Sequence, residues 1–150
     1  MSGPHAGSDV VRIERLLAAP IEDVFAAWTE PAQMAMWLSP RGRAEVEADV
    51  VVGGRLHVVM ADRDVRIEHE GEFLELEPPV RVRFTWRSRF TGDEPSVVTV
   101  ELHDEDGSTR LVLTHDRLPP EARASHAGGW SAILDHLAAV LAAGAAHGAG

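Results

Sequence analysis

Three features of the 150-residue sequence predict an α+β domain in which a curved antiparallel sheet of about seven strands grips one long C-terminal helix. Apolar residues recur with period two from Arg43 to His115, and a short stretch near the start switches to helical spacing. One long amphipathic segment then closes the chain.

Val11, Ile13 and Leu17 share one parity in Val10 to Leu17, which predicts a first strand. Ala18-Ala19-Pro20 breaks it. Pro20 suits a helix start, and Glu22 and Asp23 then fall where the helix dipole favours acids. Ile21, Val24, Phe25 and Trp28 form one helical face. Thr29 is the expected cap of a second short helix carrying Met34, Trp37 and Leu38, ended by Pro40 and Gly42. Six strands follow. Their inward positions are Val46 and Ala48; then Leu56, Val58 and Met60; then Val65, Ile67, His69, Gly71 and Phe73. Val80, Val82, Phe84, Trp86 and Ser88 continue the series, followed by Val98, Val100 and Leu102, and by Thr109, Leu111, Leu113 and His115. The turns are expected at Gly53-Gly54, Ala61 to Asp64, Pro78-Pro79, Thr91 to Pro95 and Asp104 to Gly107. Charges occupy the other parity, so the outer face meets water, with Glu70 or Glu72 expected to pair with Arg81 or Arg83. Asp116 to Ser125 reads as a loop, and His126 to about Ala143 as the long helix, with His126, Trp130, Ile133, Leu134, Leu137 and Leu141 on its apolar stripe.

Composition narrows the function. A single domain over residues 9–143, with flexible tails at 1–8 and 144–150, is expected, and a chain this long buries roughly 70% of its unfolded surface. All 14 basic residues are Arg against 24 acids, a net charge of −10. That field suits neither nucleic acid nor an anionic membrane surface. With no Cys there is no disulfide, thiolate site or Cys nucleophile. Met1 to Ser8 lacks the apolar run of a secretory signal, and the Ala-rich end is interrupted by Asp135 and His136, so a cytoplasmic protein without membrane insertion is expected. The Lys-free, Ala-rich composition is that of a GC-rich bacterial genome. The eight His show no HxH or HxxxH spacing, so no metal site is expected. No G-x-S-x-G occurs, Gly53-Gly54 has no helix after it to cradle a phosphate, and nothing calls for a cofactor.

The ordered set of motifs resembles the START/Bet v 1-like (SRPBCC) superfamily, specifically the branch named after the activator of heat-shock-protein-90 ATPase. It comprises Ala19-Pro20-Ile21-Glu22-Asp23-Val24-Phe25-Ala26-Ala27-Trp28-Thr29 with Trp37, Val52-Gly53-Gly54-Arg55, and His69-Glu70-Gly71-Glu72-Phe73. It continues with Pro78-Pro79-Val80-Arg81-Val82-Arg83-Phe84-Thr85-Trp86, Thr114-His115-Asp116 and Gly129-Trp130. The resemblance spans about Val10 to Leu141 and implies a helix-grip fold with a hydrophobic cavity. It implies no single function, since such domains include small-molecule carriers, polyketide cyclases and a co-chaperone domain.

The expected function is non-catalytic binding of a hydrophobic small molecule, a lipid, polyketide or aromatic metabolite, between sheet and helix. The expected ligand-binding residues are Trp37, Met60, His69, Trp86, His115 and Trp130, with no catalytic residue assigned. His69 and His115 are the polar members of the apolar face and offer a hydrogen bond or a proton; the competing reading is two buried His satisfied by backbone. The Trp residues equally serve as plain core. Two alternatives stand beside this reading: a polyketide cyclase or dehydratase using the cavity His, and a co-chaperone-like interaction module. The sequence sets no preference between monomer and homodimer.

Overall fold

The computed structural model describes residues 10–39, 43–62, 64–91 and 95–149. The expected N-terminal tail, Pro40 and Gly42, and most of the Thr91 to Pro95 loop lie outside them. The elements run β1 (Val11–Leu17), α1 (Ile21–Thr29), α2 (Pro31–Trp37), β2 (Glu45–Ala48), β3 (Arg55–Asp62), β4 (Val65–Glu77), β5 (Arg81–Trp86), β6 (Ser96–Glu105), β7 (Ser108–Asp116) and α3 (Pro120–Ala149). The seven strands form one antiparallel sheet in the order β1-β7-β6-β5-β4-β3-β2. Among the described residues β1 and β7 are the only non-consecutive neighbours, so α1 and α2 fill the crossover between β1 and β2. This is the α+β helix-grip architecture.

The alternation places the core where period two requires. Phe73, Val82, Phe84, Val98, Val100, Leu111 and Leu113 are all buried, and Trp130, Ile133, Leu134 and Leu137 of α3 pack into the same cluster. Trp28 of α1 sits between Trp37, 4.5 Å away, and Trp130, 6.3 Å away, by ring centroids. Polar ties hold the edges. Arg15 reaches from β1 to Ser131 Oγ at 2.8 Å, and His136 Nδ1 donates to the Ser39 carbonyl at 2.7 Å, fixing α3 to the segment after α2. The β6–β7 hairpin turns on Asp106-Gly107, both at positive φ (56° and 92°), the primed turn whose twist suits a two-residue hairpin. Among the described residues no helix is long and apolar enough to cross a membrane.

Four expectations need correction. Glu30, not Thr29, is the N-cap residue of α2, because the Thr29 hydroxyl turns back to the Phe25 carbonyl at 2.8 Å and closes the last turn of α1. Helix α3 begins at Pro120, where a loop was expected, and runs past Ala143 to Ala149. Its extra first turn carries Glu121 and is held by Ala122, which packs with Val11 and Leu118. Val65 and Val80 are 47% and 41% exposed although both have inward parity, because Val65 opens β4 at the hairpin and Val80 lies in the turn before β5. The outer-face ion pairs also differ. Arg81 and Arg83 both meet Glu75 at 3.2 Å, and Arg81 lies 3.5 Å from Glu101, while Glu70 faces Arg55 at 3.9 Å. The antiparallel register puts Arg83 opposite Glu75, with a shift at Leu74 between the Phe73 and Glu75 pairings.

Candidate functional site

A cleft of about 270 Å³ opens between the first half of α3 and the β3–β5 end of the sheet. Met60, Ile67, His69 and Trp86 form its strand wall. Ser125, His126, Gly129, Trp130 and Ile133 form its helix wall, and Phe90, half-exposed after β5, stands at the margin. Among the described residues no Asp, Glu, Arg or Lys lines it. Room on the helix side comes from glycine: a Cβ at Gly129 would meet nothing within 4 Å.

The strand wall is aromatic. His69 stacks on Trp86 with centroids 4.4 Å apart and planes 25° from parallel, across the β4–β5 pair. Between the same strands Gly71 permits a close approach, since a Cβ there would sit 2.0 Å from the Thr85 carbonyl oxygen. Trp86 meets Trp130 at 5.5 Å, so the two indoles join the sheet wall to the helix wall.

Behind that corner lies a buried hydrogen-bond relay. Trp130 Nε1 donates to His115 Nδ1 at 2.9 Å, and His115 Nε2 lies 2.7 Å from Ser96 Oγ, which donates to the Trp86 carbonyl. An indole N–H can only donate, so Nδ1 is the bare nitrogen and the ring proton sits on Nε2, facing Ser96. His115 is fully buried and both its nitrogens are taken, so it orients the two Trp walls and has no lone pair left for a ligand. Burial, then the neighbouring His126 and His69, push its pKa from 6.5 to about 3.

His69 is different. Its Nδ1 is buried with no hydrogen-bond partner at normal geometry among the described residues. Burial and then His126 lower its pKa from 6.5 to about 4, against a weaker pull from the backbone of Val58 and Ile67. His126 spends its Nδ1–H on the Ala122 carbonyl at 2.9 Å and stands edge-on to His115, with centroids 5.3 Å apart.

Four of the six residues expected at the site, Met60, His69, Trp86 and Trp130, therefore share one cleft. His115 stands one layer behind them. Trp37 does not line the cleft. It lies in the core against Trp28, with its Nε1 donating to the Ala27 carbonyl at 3.1 Å, because α2 packs on α1 and not over the cleft. The sequence reading missed Ser96, which carries no periodic signal at a strand start. It also missed His126 and Gly129 as site residues, although their spacing from Trp130 and Ile133 puts them on one helix face. Among the described residues no three His, Asp or Glu side chains are grouped to hold a metal.

Fold and cleft together define a helix-grip domain of the START/Bet v 1-like class. The family described as Activator of Hsp90 ATPase homolog 1-like protein matches residues 18–142, and the chain belongs to that family. Among solved structures it is similar to CalU16 from Micromonospora echinospora, with 26% identity over 86% of this chain and 71% of that one and a TM-score of 0.69. It is 32% identical to a Bordetella parapertussis protein solved by NMR, over 89% of this chain and 75% of the other, with a TM-score of 0.71. It is also 27% identical to an HSP90 activator from Plasmodium falciparum, over 73% and 74% of the two chains, with a TM-score of 0.60. The comparison with curated proteins returns no match.

Proposed function

We propose that the protein binds a small, uncharged, hydrophobic molecule in the cleft between α3 and β3–β5, without catalysis. One observation carries this reading: a cleft between sheet and helix walled by Trp86 and Trp130, with no charged side chain among its described lining residues. Ligand sites are commonly apolar with a few polar anchors. At about 270 Å³ the space is at the small end for such sites and suits a one- or two-ring molecule. Catalysis by a His69–His115 pair is disfavoured by the engagement of both His115 nitrogens within the protein.

The test is a thermal-shift screen against lipids, aromatic polyketides and small aromatics, followed by titration of the hits. A ligand that binds only the native state raises the melting temperature by mass action. Binding should quench or shift Trp fluorescence, and Gly129→Leu should weaken it with the fold retained, since a Cβ there meets only open space and Gly is a poor helix former. Unchanged binding by a folded Gly129→Leu variant would exclude this cleft. A protein unresponsive to every class, by contrast, would favour the interaction-module reading, which the likeness to the Plasmodium HSP90 activator also supports.

A further inference from the structure

Resting on that reading, we propose that the ligand is a neutral aromatic carrying an O–H or N–H donor, and that His126 Nε2 accepts that hydrogen. His126 lines the cleft, and its Nδ1 lies 2.9 Å from the carbonyl of Ala122, one turn earlier in α3. A carbonyl only accepts, so Nδ1 carries the proton and the neutral ring presents Nε2 as a bare acceptor. That nitrogen has no partner among the described residues and is not sealed in the core. Of the three imidazoles at this end of the fold, His115 is fully committed and His69 is sandwiched against Trp86. His126 is therefore the one whose free nitrogen has a settled role.

The remaining walls select the rest of the ligand. Trp86 and Trp130 are already in contact, so a ring packs on their cleft-facing surfaces and not between them. With no cation among the described lining residues and a chain charge of −10, a carboxylate or phosphate would enter unpaired and at a desolvation cost. A neutral ring without a donor would leave the His126 acceptor dry and unpaired once bound, which also costs affinity. Phenolic and indolic rings meet both conditions.

The experiment is equilibrium dialysis of the full chain at pH 7.5 with 2-naphthol, 2-methoxynaphthalene and 2-naphthoate, three probes of nearly one shape. 2-Naphthol should bind roughly three- to tenfold more tightly than its methyl ether, the span expected of one neutral hydrogen bond. 2-Naphthoate should bind more weakly than either. His126→Phe should reduce the ratio of 2-naphthol to ether affinity to less than about twofold, and the ratio is the readout because the larger ring also changes how both probes pack in the cleft. His126→Gln, whose side-chain oxygen is an acceptor, should keep part of the preference and serves as the second variant should the Phe variant fold poorly. Equal affinity of the parent for 2-naphthol and its ether, or a preference that survives His126→Phe, overturns the assignment while leaving the cleft as a binding site. Failure of all three probes to bind the parent overturns it together with the small-aromatic reading of the cleft.

Discussion

The relay behind the cleft makes a quantitative prediction. His115 is fully buried and Trp130 is 2% exposed, so neither can turn to water when the other is lost. His115→Leu removes the bonds at 2.9 Å and 2.7 Å and leaves the indole N–H without an acceptor, while Ser96 keeps the Trp86 carbonyl. A neutral hydrogen bond contributes about 0.5–1.5 kcal/mol and a buried orphan costs about 1–3 kcal/mol, so the variant should lose roughly 3 kcal/mol. Trp130→Phe strands His115 Nδ1 and trims one ring, for a loss of about 2–4 kcal/mol. In the double variant neither orphan remains. Both orphan costs drop out, so the combined loss should fall short of the sum of the single losses by at least about 2 kcal/mol. Urea denaturation followed by far-UV circular dichroism measures this without relying on the mutated indole, and equal m-values would license the comparison. Losses that add to within about 0.5 kcal/mol would refute the relay.

Three further outcomes follow. The folded-state pKa values of about 4 for His69 and about 3 for His115 lie below the unfolded value of 6.5, so the unfolded chain binds more protons between them. Stability should be at its full value above about pH 7 and fall as pH drops through 6.5, by about 2 kcal/mol per histidine at pH 5; His115→Leu should remove its own share, as urea midpoints at pH 5 and 7.5 would show. Phe84→Ala and Leu134→Ala should each cost about 2–5 kcal/mol, but Arg83→Ala on the outer face only about 0.5 kcal/mol; equal denaturation midpoints for the Phe84 and Arg83 variants would mean the strand faces are wrongly assigned. Gly71→Ala should cost about 1–3 kcal/mol and disturb the His69–Trp86 stack, since its methyl group would collide with the Thr85 carbonyl; an unchanged melting temperature would show that the strands do not approach there.

The sheet was legible in the sequence because period two runs through its strands apart from the shift at Leu74 in β4, so a slip of one residue would have turned Phe84 and Val98 outward. The start of α3 was not, because Leu118-Pro119-Pro120 reads as a loop until Pro120 is recognised as a helix-start residue with Glu121 after it. The partner of Arg83 was hidden by the Leu74 irregularity, which no local pattern announces. Parity also brought out His69 and Trp86 as inward residues but could not say which end of the sheet the helix leaves open. That depends on how α2 is stacked, which buried Trp37 against Trp28 and kept it from the cleft. Gly129 gave no signal because its contribution is a missing side chain.

The position of the cleft can itself be traced to side-chain size along one helix face. Leu134 and Leu137 are fully buried and fill the space over the centre of the sheet, among Phe73, Phe84 and Trp28. Toward the N-terminus of α3 the residues facing the sheet become Gly129, His126 and Ser125, while β3 and β4 continue with Met60 and Ile67. The sheet thus outlasts the bulky residues that would cover it. Close packing does not leave such a gap by default, because a void forfeits the contacts of its lining. The first atom of a side chain at Gly129 would meet only open space, so the gap lies next to a position where added bulk could recover contact. The same fold with larger residues at positions 125, 126 and 129 would be a filled domain suited to surface contacts alone. The choice between a binding cavity and a solid interaction module therefore lies in three side chains on one turn of α3, and not in the fold that surrounds them.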